Sequence, residues 1–573
     1  MLARTVCAAI LGNYGGLQMP MTYSDNMVLQ RDRELTIHGT ANSGERVTVS
    51  ITRPDAAKGK SANGAKHKKG KQPMRVRALK TEVQTATAKA DMNGYWQVTL
   101  RPQRAENGLT LTVSTDEKEL RYNNVAFGEV WLCSGQSNME FMLHEAATAK
   151  RDIPKAKNPN IRFFDMKARW RTNPVEWDAA ALDSVNHLKY FKPTAWTVCS
   201  PETAKDFSAI AYYFGAMLQD SLQCAVGLIC NAVGGSPTEA WVSREDLDAQ
   251  LPQILRNWQN NDFVQPWVRE RAAQNTKLAT NAAAQRHPYQ PCYLYESAIE
   301  PLEQFPVKGV LWYQGESNAQ NFTTHERLFK MLVEGWRRNW NDAEMPFYFV
   351  QLSSLNRPGW QWFRDSQRRL QSELPNVAMA VSSDKGDSLN VHPTSKQPIG
   401  ERLARIALHN LYDFGNVVPS GPAIKEASVV GDGIVRLTFD YADGLSTAYG
   451  KQNGINMKMI REKKYVKWVN PAPIGAKDGI FTTDSKRAKF YRENPQADYQ
   501  MGQAFDQSKE KLACYWEPAR EADLANPIRE KYPFTICCEH MRTRTHTQWY
   551  DVDYMKEFEK QPVCRINPED AAE

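Results

Sequence analysis

Residues 129–145 read EVWLCSGQSNMEFMLHE, an apolar run that breaks at a polar turn and resumes in a helix-like pattern. The run is too short for a helix and is bounded by Gly135, so it reads as a buried strand. The same grammar recurs downstream. AVGLIC (225–230) leads into PTEAWVSREDL, VKGVLWY (307–313) into HERLFKMLVEGWRRNW, PFYFVQL (346–352) into WFRDSQRRLQSEL, and VAMAVSS (377–383) into IGERLARIALHNL. Apolar strands alternating with amphipathic helices specify a mostly parallel sheet covered on both faces. This is an α/β domain over residues 125–415.

Outward from that block the pattern changes. LTIHGTA (35–41), ERVTVSITR (45–53), GYWQVTLRP (94–102) and LTLTVST (109–115) alternate apolar and polar residues between Gly, Asn and Asp. Period-two alternation predicts an antiparallel, β-sandwich-like domain over residues 21–124. Past Pro419 short alternating runs return, and a β-rich C-terminal domain is expected over 420–573. The polar stretch 257–286 reads as a helical excursion or a long surface connection.

The formal net charge of +7 says little about partners, because much of it sits in KGKSANGAKHKKGK (58–71). A segment so rich in Lys and Gly is a solvated insertion, at about 54–76, enlarging a hairpin loop. No nucleic-acid partner is expected. The ten cysteines show neither C-x-x-C nor a zinc-like Cys/His spacing, so no metal and no cofactor are expected. Cys133, Cys224 and Cys230 lie in apolar runs and read as small hydrophobes; Cys537 and Cys538, near Cys514 and Cys564, are candidates for a disulfide. No stretch is long and apolar enough to span a bilayer. Residues 1–20 carry one Arg and a short apolar run, which reads as a leader remnant and a poor secretory signal.

In an open α/β sheet, ligands bind at the carboxyl ends of the strands. Four polar loops fall there. Ser134–Met139 puts Ser137 at a tight strand-to-helix turn, the placement of an exposed nucleophile, although a capping role explains one such residue as well. Gly234–Glu239 offers bare backbone N–H groups at Gly234 and Gly235, followed by a capping-box spacing from Ser236 to Glu239. Trp312–Asn318 brings Gln314, a neutral amide able to donate to an oxyanion, with Glu316 and Asn318 beside it to orient neighbours or contact substrate. Asp384–Pro393 carries His392, a general base with acidic residues close by in the chain. Together these loops supply a nucleophile, a base and oxyanion donors for acyl transfer. The serine is not in G-x-S-x-G, so an ordinary α/β-hydrolase is not expected.

These loops make the chain similar to a known family. VWLCSGQSNMEF (130–141), GGSPTEAW (234–241), GVLWYQGESNA (309–319) and HP-x-x-K-Q-x-x-GERLA (392–404), with YSDNMVLQRD (23–32) upstream, resemble the sialate O-acetylesterases, SGNH-type carbohydrate acetyl esterases. The resemblance implies a flavodoxin-like three-layer α/β/α domain with accessory β-domains. It implies Ser137 as nucleophile, His392 as base, and the Ser137 backbone, Gly235 and the Gln314 side chain as the oxyanion hole.

The family's enzymes often carry an Asp three residues before the histidine, where this chain has Leu389. Asp387 is the favoured acidic partner, with Asp384 or a backbone carbonyl as alternatives. The implied substrate is an O-acetylated sugar, most naturally a 9-O-acetylated sialic acid. Xylan or xyloglucan esters are the alternative, and a non-catalytic carbohydrate-binding surface protein is a rival of another class. Trp312, Tyr313, Trp360 and Trp362 could offer sugar-stacking faces, with burial in the core the favoured role for each, while Arg357 and Arg364 are candidates for a sugar carboxylate. By the same resemblance the protein is expected in the periplasm or outside the cell. The sequence does not specify an oligomeric state.

Overall fold

A computed structural model describes residues 16–54, 82–430 and 435–442, all within the first of two compact units, which divide after Leu445. The expected Lys-rich insertion, the cysteines near the C-terminus and most of the expected C-terminal β-rich domain lie outside the described residues.

The amino-terminal part is built from alternating strands, as the period-two pattern requires. After the short β1 (Val28–Gln30), β2 (Leu35–Thr40) pairs antiparallel with β5 (Tyr95–Leu100). β3 (Arg46–Thr52) pairs antiparallel with both β4 (Glu82–Lys89) and β6 (Glu106–Ser114), and β6 pairs with β7 (Glu119–Gly135). Residues 53–81 therefore connect two hairpin-paired strands. Ile37, Trp96 and Val98 from one sheet and Val49, Leu111 and Val113 from the other join a single buried cluster. β7 runs on without a break from this part into the α/β part, so the two share one strand.

The α/β sheet explains why the apolar runs have no polar face. In order across the sheet lie β13 (Val377–Ala380), β12 (Phe347–Val350), β11 (Gly309–Tyr313), β7, β10 (Ala225–Cys230), β8 (Asn158–Asp165) and β9 (Thr197–Cys199). All neighbours are parallel except β8 and β9. Numbering only the strands that begin a chemistry-bearing loop or lie between them (β7, β10, β11, β12, β13), the order is 2-1-3-4-5, the flavodoxin-like arrangement. β8 and β9 extend the sheet beyond β10.

Residues along each strand alternate between two cores. Val130, Ile229, Val310 and Phe349 enter one cluster, together with Leu328 and Trp336 of a helix spanning Phe322–Asn339. Trp131, Leu228, Leu311 and Tyr348 enter the other, together with Phe214 of helix α1 (Ala209–Leu222) and Leu403 of the last helix, Gln397–Leu411. That is the three-layer α/β/α arrangement. Beyond it, Ala423–Val429 and Val435–Asp440 form an antiparallel hairpin. Among the described residues no helix is long and apolar enough to cross a membrane.

The order reverses around β7, whose neighbours β10 and β11 are reached by connections leaving in opposite senses. The crevice at the carboxyl end of β7 is the topological switch point, and Ser137 sits two residues past that end.

Candidate active site

Gly135 ends β7 with φ +128°, and a methyl group there would fall 2.2 Å from the Tyr313 carbonyl oxygen. The strand therefore closes onto β11 at a point where only glycine fits. Gln136 fixes the next step: its N–H donates to Tyr313 O (2.9 Å), and its Oε1 accepts from the N–H groups of Gly315 and Ser317 (both 3.4 Å). Ser137 then opens a single helical turn, Ser137–Glu140. Ser137 is partly exposed while Gln136 and Asn138 on either side are buried, so the hydroxyl is the group presented to solvent.

His392 lies 255 residues away in sequence and places Nε2 2.7 Å from Ser137 Oγ. Its loop is tied down at several points. Asn390 Oδ1 accepts from the His392 N–H (2.9 Å), Asn138 Nδ2 donates to Val391 O (3.0 Å), and the Ala147 N–H donates to Thr394 O (3.0 Å). Asn138 also donates to buried Glu316 Oε1 (2.5 Å) and accepts from the Lys396 ammonium. Burial raises the Glu316 carboxyl and lowers the Lys396 ammonium to about 7. This chain beneath the Ser–His pair joins the Ser137 loop, the β11 loop and the His392 loop.

The structure does not bring Asp387 to His392. Asp387 is exposed, and its Oδ1 accepts from the N–H groups of Leu389 (2.8 Å) and Asn390 (3.1 Å) in its own turn, which holds the carboxyl below its usual range. Asp384 pairs with Arg402 (2.6 Å). The carboxylate with an electrostatic effect on His392 is Glu145, whose Oε2 accepts from the Met142 N–H (3.1 Å).

The second loop is pinned from every side. Glu140 Oε2 accepts from the Gly234 N–H (2.7 Å); Tyr289 Oη (2.7 Å) and Thr172 Oγ1 (3.0 Å) donate to Gly234 O; Ser317 Oγ donates to Gly235 O (2.9 Å). Burial raises Glu140 to about 7. The Gly234 N–H is thus spent, whereas the Gly235 N–H has no acceptor among the described residues. The Ser137 N–H, at the first helical position, has no acceptor within its own helix. The capping box expected from Ser236 to Glu239 does not form. Ser236 Oγ instead accepts from Trp241 Nε1 (2.9 Å), and Glu239 Oε2 accepts from Asn318 Nδ2 (2.8 Å).

Gln314 is placed at the end of β11 but is not a free donor. The Thr238 N–H donates to Asn318 Oδ1 (2.9 Å), which fixes the orientation of that amide. Asn318 Oδ1 then takes one N–H of Gln314 (2.6 Å), and Ser236 O takes the other (3.3 Å). Both donors are committed to the interior.

Trp312 is 1% exposed and packs edge-on against Trp241 and Trp336, with ring centroids 5.8 Å apart in each case. No sugar reaches it. Tyr313 and Trp360 are buried as well, leaving only Trp362 exposed among the aromatic candidates. Arg357 is exposed, with its guanidinium 5.5 Å from the Trp360 ring centroid.

Sequence reading missed Trp267. It lies at the start of helix α2 (Pro266–Asn275), inside the polar stretch, and its ring edge comes within 2.8 Å of where a methyl group on Gly235 would sit. Trp267, with Trp258 one of two tryptophans in an otherwise polar segment, was the available signal.

With this geometry in place, comparisons with known proteins agree on one family. The sequence model of carbohydrate esterases described as sialic acid-specific acetylesterases matches residues 127–409. The sialate O-acetylesterase of Rattus norvegicus is 28% identical over 73% of this chain and 78% of its own. That of Homo sapiens is 27% identical over 74% and 77%. A solved carbohydrate acetylesterase from Xanthomonas citri aligns with a TM-score of 0.56 at 28% identity, covering 74% of this chain and 82% of that one. The chain is similar to the sialate O-acetylesterases among the carbohydrate esterases and is a carboxylic ester hydrolase acting on O-acetyl esters of sugars.

Proposed function

We propose that this chain hydrolyses 9-O-acetyl esters of sialic acids through an acetyl-enzyme on Ser137, acting where such glycans occur outside the cytoplasm. The observation that carries the reading is Ser137 Oγ 2.7 Å from His392 Nε2, beside the uncommitted N–H groups of Ser137 and Gly235. Ser137 Oγ attacks the acetyl carbonyl as His392 Nε2 takes its proton. The two N–H groups receive the negative charge that develops on the carbonyl oxygen. On collapse His392 returns the proton to the departing sugar hydroxyl. Water, deprotonated by His392, then attacks the acetyl-enzyme and releases acetate, restoring Ser137.

The test is acetate release from 9-O-acetylated sialic acid and from acetylated xylan, with a serine-directed phosphonate as label. Release from the sialate, and labelling of wild type but not of Ser137→Ala, is expected. Release from xylan alone transfers the same chemistry to plant glycans, and labelling that survives in Ser137→Ala sinks the acyl-enzyme.

Asp387→Asn should leave kcat/KM within about threefold of wild type. Converting a carboxylate that orients a catalytic histidine into an amide costs on the order of 10⁴-fold, so the two cases are well separated. A loss near the larger figure would mean that Asp387 swings onto His392 during turnover.

The pH profile follows from the same contacts. Burial first, and the nearby positive Lys396 second, hold His392 below its ordinary 6.5, while Glu145 opposes them. The base must be neutral to act, so activity rises with pH through a value below 6.5 and is on its plateau at neutrality. In that range Lys396, lowered to about 7, is still mostly protonated. Lys396→Met removes the second cause, and the acid limb of kcat/KM should move to higher pH. An unmoved limb would show that the Lys396 charge does not act on His392.

A further inference from the structure

We infer that Trp267, Arg271 and Arg171 form a subsite for the carboxylate-bearing ring of an acidic sugar, alongside the oxyanion loop; this rests on the esterase reading of Ser137 and names the substrate class that reading takes. Trp267 and Arg271 are four residues apart on helix α2 and so share one of its faces. That face is turned to the catalytic loops. A methyl group on Gly234 would fall 3.6 Å from Ser137 Cβ, and one on Gly235 would fall 2.8 Å from Trp267 Cη2. The path Ser137–Gly234–Gly235–Trp267 is therefore continuous.

Trp267 is partly exposed and held in place. Its Nε1 donates to Gln265 Oε1 (2.7 Å), and its ring meets buried Tyr289 edge-on with centroids 6.0 Å apart. A fixed, half-open indole is a stacking surface for the apolar face of a pyranose. One helical turn on, Arg271 Nη1 donates to Thr172 O (2.9 Å), and Thr172 Oγ1 is the group that holds Gly234 O. A guanidinium has five N–H donors. That single backbone contact leaves most of them uncommitted, and Arg271 forms no ion pair among the described residues.

Arg171 immediately precedes Thr172 and is exposed; its carbonyl accepts from Trp177 Nε1 (3.2 Å). It too forms no ion pair among the described residues. Its electrostatic partner is half-buried Glu140, which is committed to the Gly234 N–H. Arg171, acting on Glu140, and Arg271, bonded to Thr172, thus both lie next to the contacts that hold Gly234. Of the other acids along these segments, Glu176 pairs with Lys277, Asp178 caps the Ala181 N–H (2.8 Å), and Glu270 on helix α2 is exposed. Arg357, on the β12 side, instead lies over Trp360 and acts electrostatically on buried Glu316.

The decisive measurement compares 9-O-acetyl-N-acetylneuraminic acid, its carboxyl methyl ester and 4-nitrophenyl acetate on the full chain. Wild type should prefer the free acid over its methyl ester by at least about tenfold in kcat/KM, the scale of one charge-assisted contact. Arg271→Gln and Arg171→Gln should each erase most of that preference. On 4-nitrophenyl acetate, which carries no carboxylate, both should lose far less than on the free acid. Trp267→Ala should lower kcat/KM for both sugars and leave the preference intact. Equal rates on acid and methyl ester in wild type would overturn the subsite. So would a preference lost in Arg357→Gln and retained in the Arg271 and Arg171 variants, or an equal loss on 4-nitrophenyl acetate. A wild type inert on all three esters, 4-nitrophenyl acetate included, would overturn the esterase reading itself.

Discussion

Ser137→Ala and His392→Gln are each expected to lower kcat for acetyl-ester hydrolysis by on the order of 10³- to 10⁶-fold, and the double variant by no more than the larger single loss. The 2.7 Å contact makes the two side chains one device. Without the hydroxyl, His392 has no proton to take; without the imidazole, the hydroxyl is a poor nucleophile at neutral pH. Once either is gone the other contributes almost nothing, so the effects do not multiply. What survives is catalysis by the donors at Ser137 N and Gly235 N together with substrate binding. Both side chains are partly exposed, so each variant should melt within about 2 °C of wild type. Acetate release by pH-stat with a thermal melt on the same preparation checks both halves. Losses that multiply in the double variant would mean that Ser137 and His392 act in separate steps.

The parts of this molecule legible in the sequence are those set by local pattern. Val130–Cys133 and Gly309–Tyr313 read as fully apolar runs because both faces of a central parallel strand are buried. The loops at their carboxyl ends then had to hold the chemistry, and Ser137 and His392 do meet there. The same logic favours burial of Trp312 over a stacking role, and the side chain is buried. It is the fourth residue of a run with no solvent-facing position. Asp387 carried a signal too: an Asp followed by Ser, Leu and Asn is set up to accept its own turn's N–H groups, which competes with reaching a histidine.

Gln314 was not legible, because its amide is consumed by Ser236 and Asn318, and the orientation of Asn318 depends on the Thr238 N–H from another loop. Such a network is defined only once the loops are assembled. Trp267 and Arg271 were hidden for the converse reason. Helix α2 is polar along most of its length, so no apolar stripe marked the face it turns to Gly235.

Gly235→Ala is the other large effect, expected to lower kcat by about 10²- to 10³-fold and stability by about 1–3 kcal/mol. Two causes act at once. Gly235 has φ +76°, a region costly for any residue with a Cβ, and the added methyl group would sit 2.2 Å from Tyr289 Oη and 2.8 Å from Trp267 Cη2. Tyr289 cannot simply yield, because it is 1% exposed and its hydroxyl holds Gly234 O. The loop must move instead, and with it the Gly235 N–H assigned here to the oxyanion. Gly234→Ala is the natural control. Its backbone is not in the left-handed region, and its nearest obstacle is the end of the Glu140 side chain at 2.8 Å, so the loss there should be smaller. Adding Tyr289→Phe to Gly235→Ala removes the 2.2 Å clash but leaves Tyr289 Cζ at 2.9 Å, the indole and the φ strain, so rescue should be partial. A Gly235→Ala enzyme with undiminished kcat would take the Gly235 N–H out of the oxyanion hole. The Ser137 N–H would then be the sole donor identified, and the Gly234–Gly235 turn would matter only for how closely the loop packs against Tyr289.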